Sequence, residues 1–101
     1  MASRESSQET EKSMRFKLEG AEIAAPTTTG AASTVENSIE VSCFNNSTTA
    51  YLVTVVTAAS GSVVGTITLG GGEREVIVKD RAHAIFAANA AVRLTSINTR
   101  V

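Results

Sequence analysis

Short runs rich in Val, Ile and Thr recur along this chain at close intervals, each ended by residues that turn the backbone. "SIEVSCF" places Ile39, Val41 and Cys43 on one side of a strand, because side chains alternate between faces along extended backbone. "NNST", Asn45 to Thr48, follows it; Asn tolerates left-handed φ, and its side chain mimics a backbone turn. "AYLVTVVTA" sets Tyr51, Val53 and Val55 against Leu52 and Val56, apolar on both sides as a central strand requires. "ASGS" turns the chain into "VVGTITL", where Val63, Ile67 and Leu69 are in phase around Gly65. "REVIVKD" carries Val76 and Val78 in phase, and "HAIFA" and "AAVRLTSI" close the series with a turn near Asn89. Strands spaced this way predict an all-β fold, a small antiparallel β-sandwich or barrel-like domain. No segment carries a convincing helical period. The alanines of "DRAHAIFAANAAVRL" leave a helix open there, while Thr95, Ile97 and their β-branched context favour a strand.

The domain opens at "MRFKLEG", where Met14, Phe16 and Leu18 alternate with Arg15, Lys17 and Glu19. That period of two predicts a half-buried strand over Met14 to Leu18, at an edge of the sheet, with Arg15 and Lys17 facing outward. Before it, "MASRESSQETEKS" holds no branched or aromatic apolar residue, so it buries too little by itself to offset its ordering entropy. Two readings stand for this segment. It is a solvated tail, or an extended arm that orders against a neighbouring subunit through Arg4, Glu5, Glu9, Glu11 and Lys12. The chain therefore divides into a polar N-terminal arm, 1–13, and a single antiparallel β domain, 14–101, with a loop from Ala24 to Thr34 around its one proline. A length of 101 residues suffices for one core. With three Phe, one Tyr and no Trp, that core has to be built from Val, Ile, Leu and Ala.

Nine basic residues balance ten acidic ones, for a net charge of -1, which argues against a nucleic-acid surface and its basic stripe. One Cys cannot form an internal disulfide. Neither a membrane span nor a signal peptide is expected from the apolar runs or the polar N-terminus. The expected place of work is the cytoplasm, or something assembled there.

"TLGGGEREVIVKD" looks most like a motif. A phosphate loop needs G-x-x-x-x-G-K-[ST] opening a helix whose N-terminus faces the anion. Here no Lys or hydroxyl follows Gly72, Glu73 and Glu75 would repel phosphate, and the next residues are β-branched. A dinucleotide fingerprint fails for want of a following helix. The expectation is a hairpin turn at Gly70, Gly71 and Gly72, with φ > 0 at more than one of them.

The other reactive residues point the same way. A Cys43–His83 nucleophilic pair is possible in principle. The phase of Cys43 with Ile39 and Val41 reads instead as a small buried apolar residue, and His83 in "KDRAH" reads as a surface turn. Two scattered residues do not make a zinc site. The carboxylates lie in the arm, on strand surfaces (Glu36, Glu40) or beside a turn, so no acid–base pair is expected. The sequons at Asn45 and Asn46 carry no weight without secretion. The expectation is a non-enzymatic protein with no catalytic, cofactor-binding or metal-binding residues.

"MRFKLEGAEI" followed by "VSCFNNSTTAYLVTVV…GSVVGTITLGGGEREVIVKD…IFAANAAVRLTSI" resembles the small β-sandwich virion proteins of marine tailed bacteriophages. The matching residues are Gly65, Ile67, Thr68, Leu69, Gly72, Glu73 and Lys79, with the alanine-rich close from Ala84 to Ala91. The resemblance runs from about Met14 to Ile97; the 13-residue extension before it departs from the pattern. It implies a virion structural protein, assembled in the host cytoplasm: a capsid decoration (cement) protein or a small neck, tail or fibre accessory. The edge strand at Met14 to Leu18 predicts a homo-oligomer, and the resemblance implies a trimer before a dimer and contact with other virion proteins such as the major capsid protein; neither nucleic acid nor membrane is expected as partner. A carbohydrate- or receptor-binding module is the alternative, poorly served by one Tyr and three Phe.

Overall fold

In the computed structural model, which describes residues 15–100, β3 (Glu40–Asn45) and β8 (Val92–Asn98) lie side by side at the centre of a five-stranded antiparallel sheet. β6 (Arg74–Val78) flanks β3. On the other side of β8 run two short pieces, β1 (Lys17–Leu18) and β2 (Ile23–Ala24), forming one interrupted edge. A three-stranded sheet in the order β5 (Val63–Leu69), β4 (Tyr51–Val56), β7 (Ala84–Ala87) packs on the first, so the chain is an all-β sandwich.

The pleat explains the core. Val41 and Cys43 of β3 and Val92 and Leu94 of β8 meet Val53, Leu69, Ile85 and Ala87 of the smaller sheet, with Ala25 and Val35 closing the end. These are aliphatic or small, as the scarcity of aromatics required. A fully buried Val, Leu or Ile stabilises by about 1.5–3 kcal/mol relative to exposure. "DRAHAIFAANAAVRL" forms β7 and β8 with a turn at Asn89, whose side-chain oxygen accepts from Ala91 N at 2.8 Å. Buried alternation on both strands, Ile85 and Ala87 in one and Val92 and Leu94 in the other, outweighs alanine's helical preference.

Three expectations are corrected. Gly70–Gly72 do not close a hairpin: β5 pairs only with β4, β6 pairs only with β3, and the glycines carry the chain from one sheet to the other. After β3, every connection between strands changes sheet except β4–β5. Within "REVIVKD" it is Ile77 that packs against the core; Val76 and Val78 share the outer phase, and Val78 is 73% exposed. The opening strand is confined to Lys17–Leu18, with Leu18 66% exposed, and Arg15 lies outside any strand. Phe16 is instead half-buried near Arg74, whose guanidinium lies 6.0 Å from that ring and 4.8 Å from the Phe44 ring.

Candidate functional site

The glycine triplet is a tight turn, with Glu73 N donating to Gly70 O at 3.0 Å. Only Gly72 has positive φ, +76°, at the position where a type II turn needs it. Gly71 is needed for a different reason: a Cβ there would stand 2.7 Å from the Thr48 carbonyl carbon. Glu73 turns its carboxylate back onto Gly70 N, so the loop's amide faces a fixed internal anion. This geometry joins sheets and has no cradle for phosphate.

Cys43 is fully buried, and burial pushes its thiol up to about 12, which suppresses the thiolate needed for nucleophilic chemistry. His83 sits in a turn, its Nε2 3.5 Å from Asp80 Oδ2 and its amide donating to Asp80 O. Lys79 is buried, donating to Ser38 O at 2.6 Å and Asp80 O at 3.3 Å. Burial holds the Lys79 ammonium below the usual lysine range, opposed by the charge of Asp80. Among the described residues, no three His, Cys, Asp or Glu side chains are grouped to hold a metal. Lys17 pairs loosely with Glu19 at 3.9 Å, exposed at the β1 edge. Arg4, Glu5, Glu9, Glu11 and Lys12 lie outside the described residues.

Two concavities mark the surface. A polar one of about 550 Å³ is lined by Glu36, Asn37, Glu40, Arg81 and Arg100 at one end of the sandwich. Glu36 and Asn37 of its wall follow the core residue Val35, and the three consecutive residues stand at φ 51°, 61° and 56°. A β-branched residue in that region is strained. Val35 N donating to Ser33 Oγ, Asn37 N donating to Thr34 Oγ1, and the full burial of Val35 hold the segment there. Ser38 Oγ beside it is buried without a hydrogen-bond partner among the described residues.

The second concavity is an open groove of about 410 Å³ between β5 and β6. Val53, Val55, Gly65 and Ile67 of the small sheet line one wall; Ile77 and Val78 line the other, with Lys79, Asp80 and His83 at one end. All of β5 except Leu69 is exposed, with Val63 at 63%, Val64 at 53% and Ile67 at 41%.

Sequence reasoning by turns and phases missed this edge, although a plain signal existed. No Asp, Glu, Lys, Arg or His occurs between Glu40 and Glu73. β4, β5 and β7 together carry no charged side chain, whereas Lys17, Glu40, Arg74, Glu75 and Arg93 all lie in strands of the five-stranded sheet. The chain has placed its charges on one layer and left the other neutral. No family model matches this chain, nor does any curated protein or solved structure.

Proposed function

We propose that the chain is a non-enzymatic structural subunit that works by assembling with copies of itself and with other proteins of a bacteriophage particle. One observation supports the self-assembly: a neutral three-stranded sheet ends in an exposed apolar edge beside an open apolar groove. Monomeric proteins blunt such edges with charge, proline or cover. The assignment to a virion, as a capsid decoration protein or a neck, tail or fibre accessory, rests on the sequence resemblance between Met14 and Ile97. In this reading the polar arm adds attachment contacts whose strength comes from many copies acting together.

Mass spectrometry of purified particles is the test. Many copies per particle support decoration; a handful support a neck, tail or fibre position. Absence from particles sinks the virion assignment. Deleting residues 2–13 is expected to loosen attachment to the particle while leaving the melting temperature of the isolated domain unchanged.

A further inference from the structure

The described residues form four sheet edges, and three of them are guarded. β6 carries Arg74 and Glu75, both exposed. The β1/β2 edge is cut into two-residue pieces and bears Lys17. β7 is four residues long, and its outer side is already used: Ser33 and Ile85 exchange hydrogen bonds at 3.0 and 2.8 Å, and Ala87 N donates to Pro26 O at 2.9 Å. β5 is different. It has seven residues with no charge and no proline, and among the described residues nothing pairs with its free side.

We infer that the occupant of this edge is the β5 strand of a second copy, paired antiparallel about a two-fold axis at Thr66. The inference rests on the self-assembly reading and gives it a geometry. Face parity permits only registers in which the two residue numbers sum to an even value, since inner side chains must oppose inner ones. The ladder to β4 is regular from Gly65 to Leu69 and shifts at Val55/Val56, so a second ladder is best centred within that regular stretch. Centring on Thr66 sets each exposed Ile67 opposite the other copy's Gly65, where a side chain would meet nothing within 4 Å. Bulk faces vacancy twice. The same register brings Ile67 of the second copy to the mouth of the apolar groove, which Gly65 helps to line.

Charge decides between a second copy and the chain's own N-terminal segment. Residues 1–13 carry Arg4, Glu5, Glu9, Glu11 and Lys12 and almost nothing apolar, so as an added strand they would set charges against Val64 and Ile67. A second β5 brings none. The symmetry favoured by this edge is two-fold, where the resemblance implied three-fold.

Sedimentation of the full chain over a concentration series, with cysteine cross-linking, tests the pairing. The wild type is expected to dimerise reversibly. Thr66→Lys and Thr66→Glu, both at an exposed position, are each expected to weaken the dimer by at least about tenfold through like charges facing each other. Mixing the two variants should restore a heterodimer. Thr66→Cys should cross-link between copies under mild oxidation, because directly opposed Cα atoms lie within disulfide reach. Thr68→Cys should not, since its counterpart is displaced along the strand, and Cys43 is too buried to compete. A wild type that stays monomeric at high concentration, a dimer untouched by both charge variants, cross-linking at position 68 instead of 66, or loss of the dimer on deleting residues 2–13 would each overturn the inference. A monomeric chain abundant on particles would sink the self-assembly reading and the strand pairing with it but leave the virion assignment; an oligomer untouched by the position-66 variants would sink the strand pairing alone; a dimeric chain absent from particles would sink the virion assignment alone.

Discussion

Asn45 reaches across the sandwich to Leu69: its Nδ2 donates to the Leu69 carbonyl at 2.9 Å, and also to Thr49 O at 2.7 Å. Ser47 Oγ donates to Asn45 Oδ1, so one fully buried amide ties the end of β3, the following turn and the end of β5. Removing it leaves the buried Leu69 carbonyl without this donor, which costs that group's desolvation. Asn45→Ala is therefore expected to lower stability by about 1–3 kcal/mol in urea unfolding. Asn45→Asp should be worse at neutral pH, since a carboxylate would face two carbonyl oxygens. The carboxyl introduced there has a raised folded pKa, so part of the loss should return as pH falls and it becomes a donor. An Asn45→Ala protein as stable as wild type would show that the amide is not the tie.

Gly71 and Gly72 should answer differently to the same substitutions. Asn tolerates left-handed backbone, so Gly72→Asn is expected to cost little, while Gly72→Val forces a β-branched residue to positive φ at roughly 1–3 kcal/mol. At Gly71 the obstacle is the Ser47–Thr48 backbone, so Ala and Asn should both be costly. Thermal melts of the four variants decide it. Equal losses for Gly71→Asn and Gly72→Asn would contradict the distinction.

Arg74 clamps the outer face of the five-stranded sheet. Besides lying over Phe44 and near Phe16, its Nη1 donates to Ser42 Oγ at 2.6 Å. A planar guanidinium stacks and donates at once, which an ammonium does not. Arg74→Lys is expected to lose most of what Arg74→Ala loses, about 1 kcal/mol, with faster hydrogen exchange at the Lys17–Leu18 pairing to β8. Full rescue by lysine would show that charge alone matters there.

Glu40 is expected to contribute to the loss of stability in acid. The Thr99 hydroxyl, then the Thr99 backbone N–H at 2.9 Å, hold the Glu40 carboxyl below its usual 4.5, with burial opposing and Arg100 assisting. A depressed folded pKa contributes stability that is present above the unfolded value and is lost as pH falls through the folded one. Melting temperature should therefore fall as the solution is acidified below about 4.5, and Glu40→Gln should flatten that decline. A variant with the same acid slope as wild type would assign the slope to another carboxyl.

Strand phases were legible because burial acts residue by residue: Val41 with Cys43 and Tyr51 with Val53 lie on the faces their alternation predicts. The partition between sheets was not legible. "VVGTITL" and "REVIVKD" are neighbours in sequence and in phase, yet each finds its partner elsewhere, and nothing local in the glycine triplet distinguishes a hairpin from a crossing. Val76 and Val78 out-count Ile77 as apolar residues, so the alternation named the wrong face; what decides it is Val41, which pairs with Ile77 from the neighbouring strand. The left-handed turn at Val35 was hidden for a similar reason, because the local bonds from Ser33 and Thr34 hold a β-branched residue there only together with its burial in the core. The open edge was written in the absence of charge between Glu40 and Glu73, but an absence gains meaning only once β5 is known to stand at the border of its sheet.

The position of β8 sets an order of events in time. It is synthesised after every other described strand, yet it stands between β3 and β1, and its Asn98 pairs with Lys17 of the first described strand. The larger sheet thus has no middle until all its other described strands have been made. β4 and β5, joined by the short turn from Thr57 to Ser62, can pair as soon as both have left the ribosome. Through the rest of synthesis this uncharged hairpin waits without its facing layer, and long-range pairing closes slowly. The hazard of aggregation therefore falls at the protein's birth, and slower elongation after β5 should worsen its yield more than any later stress.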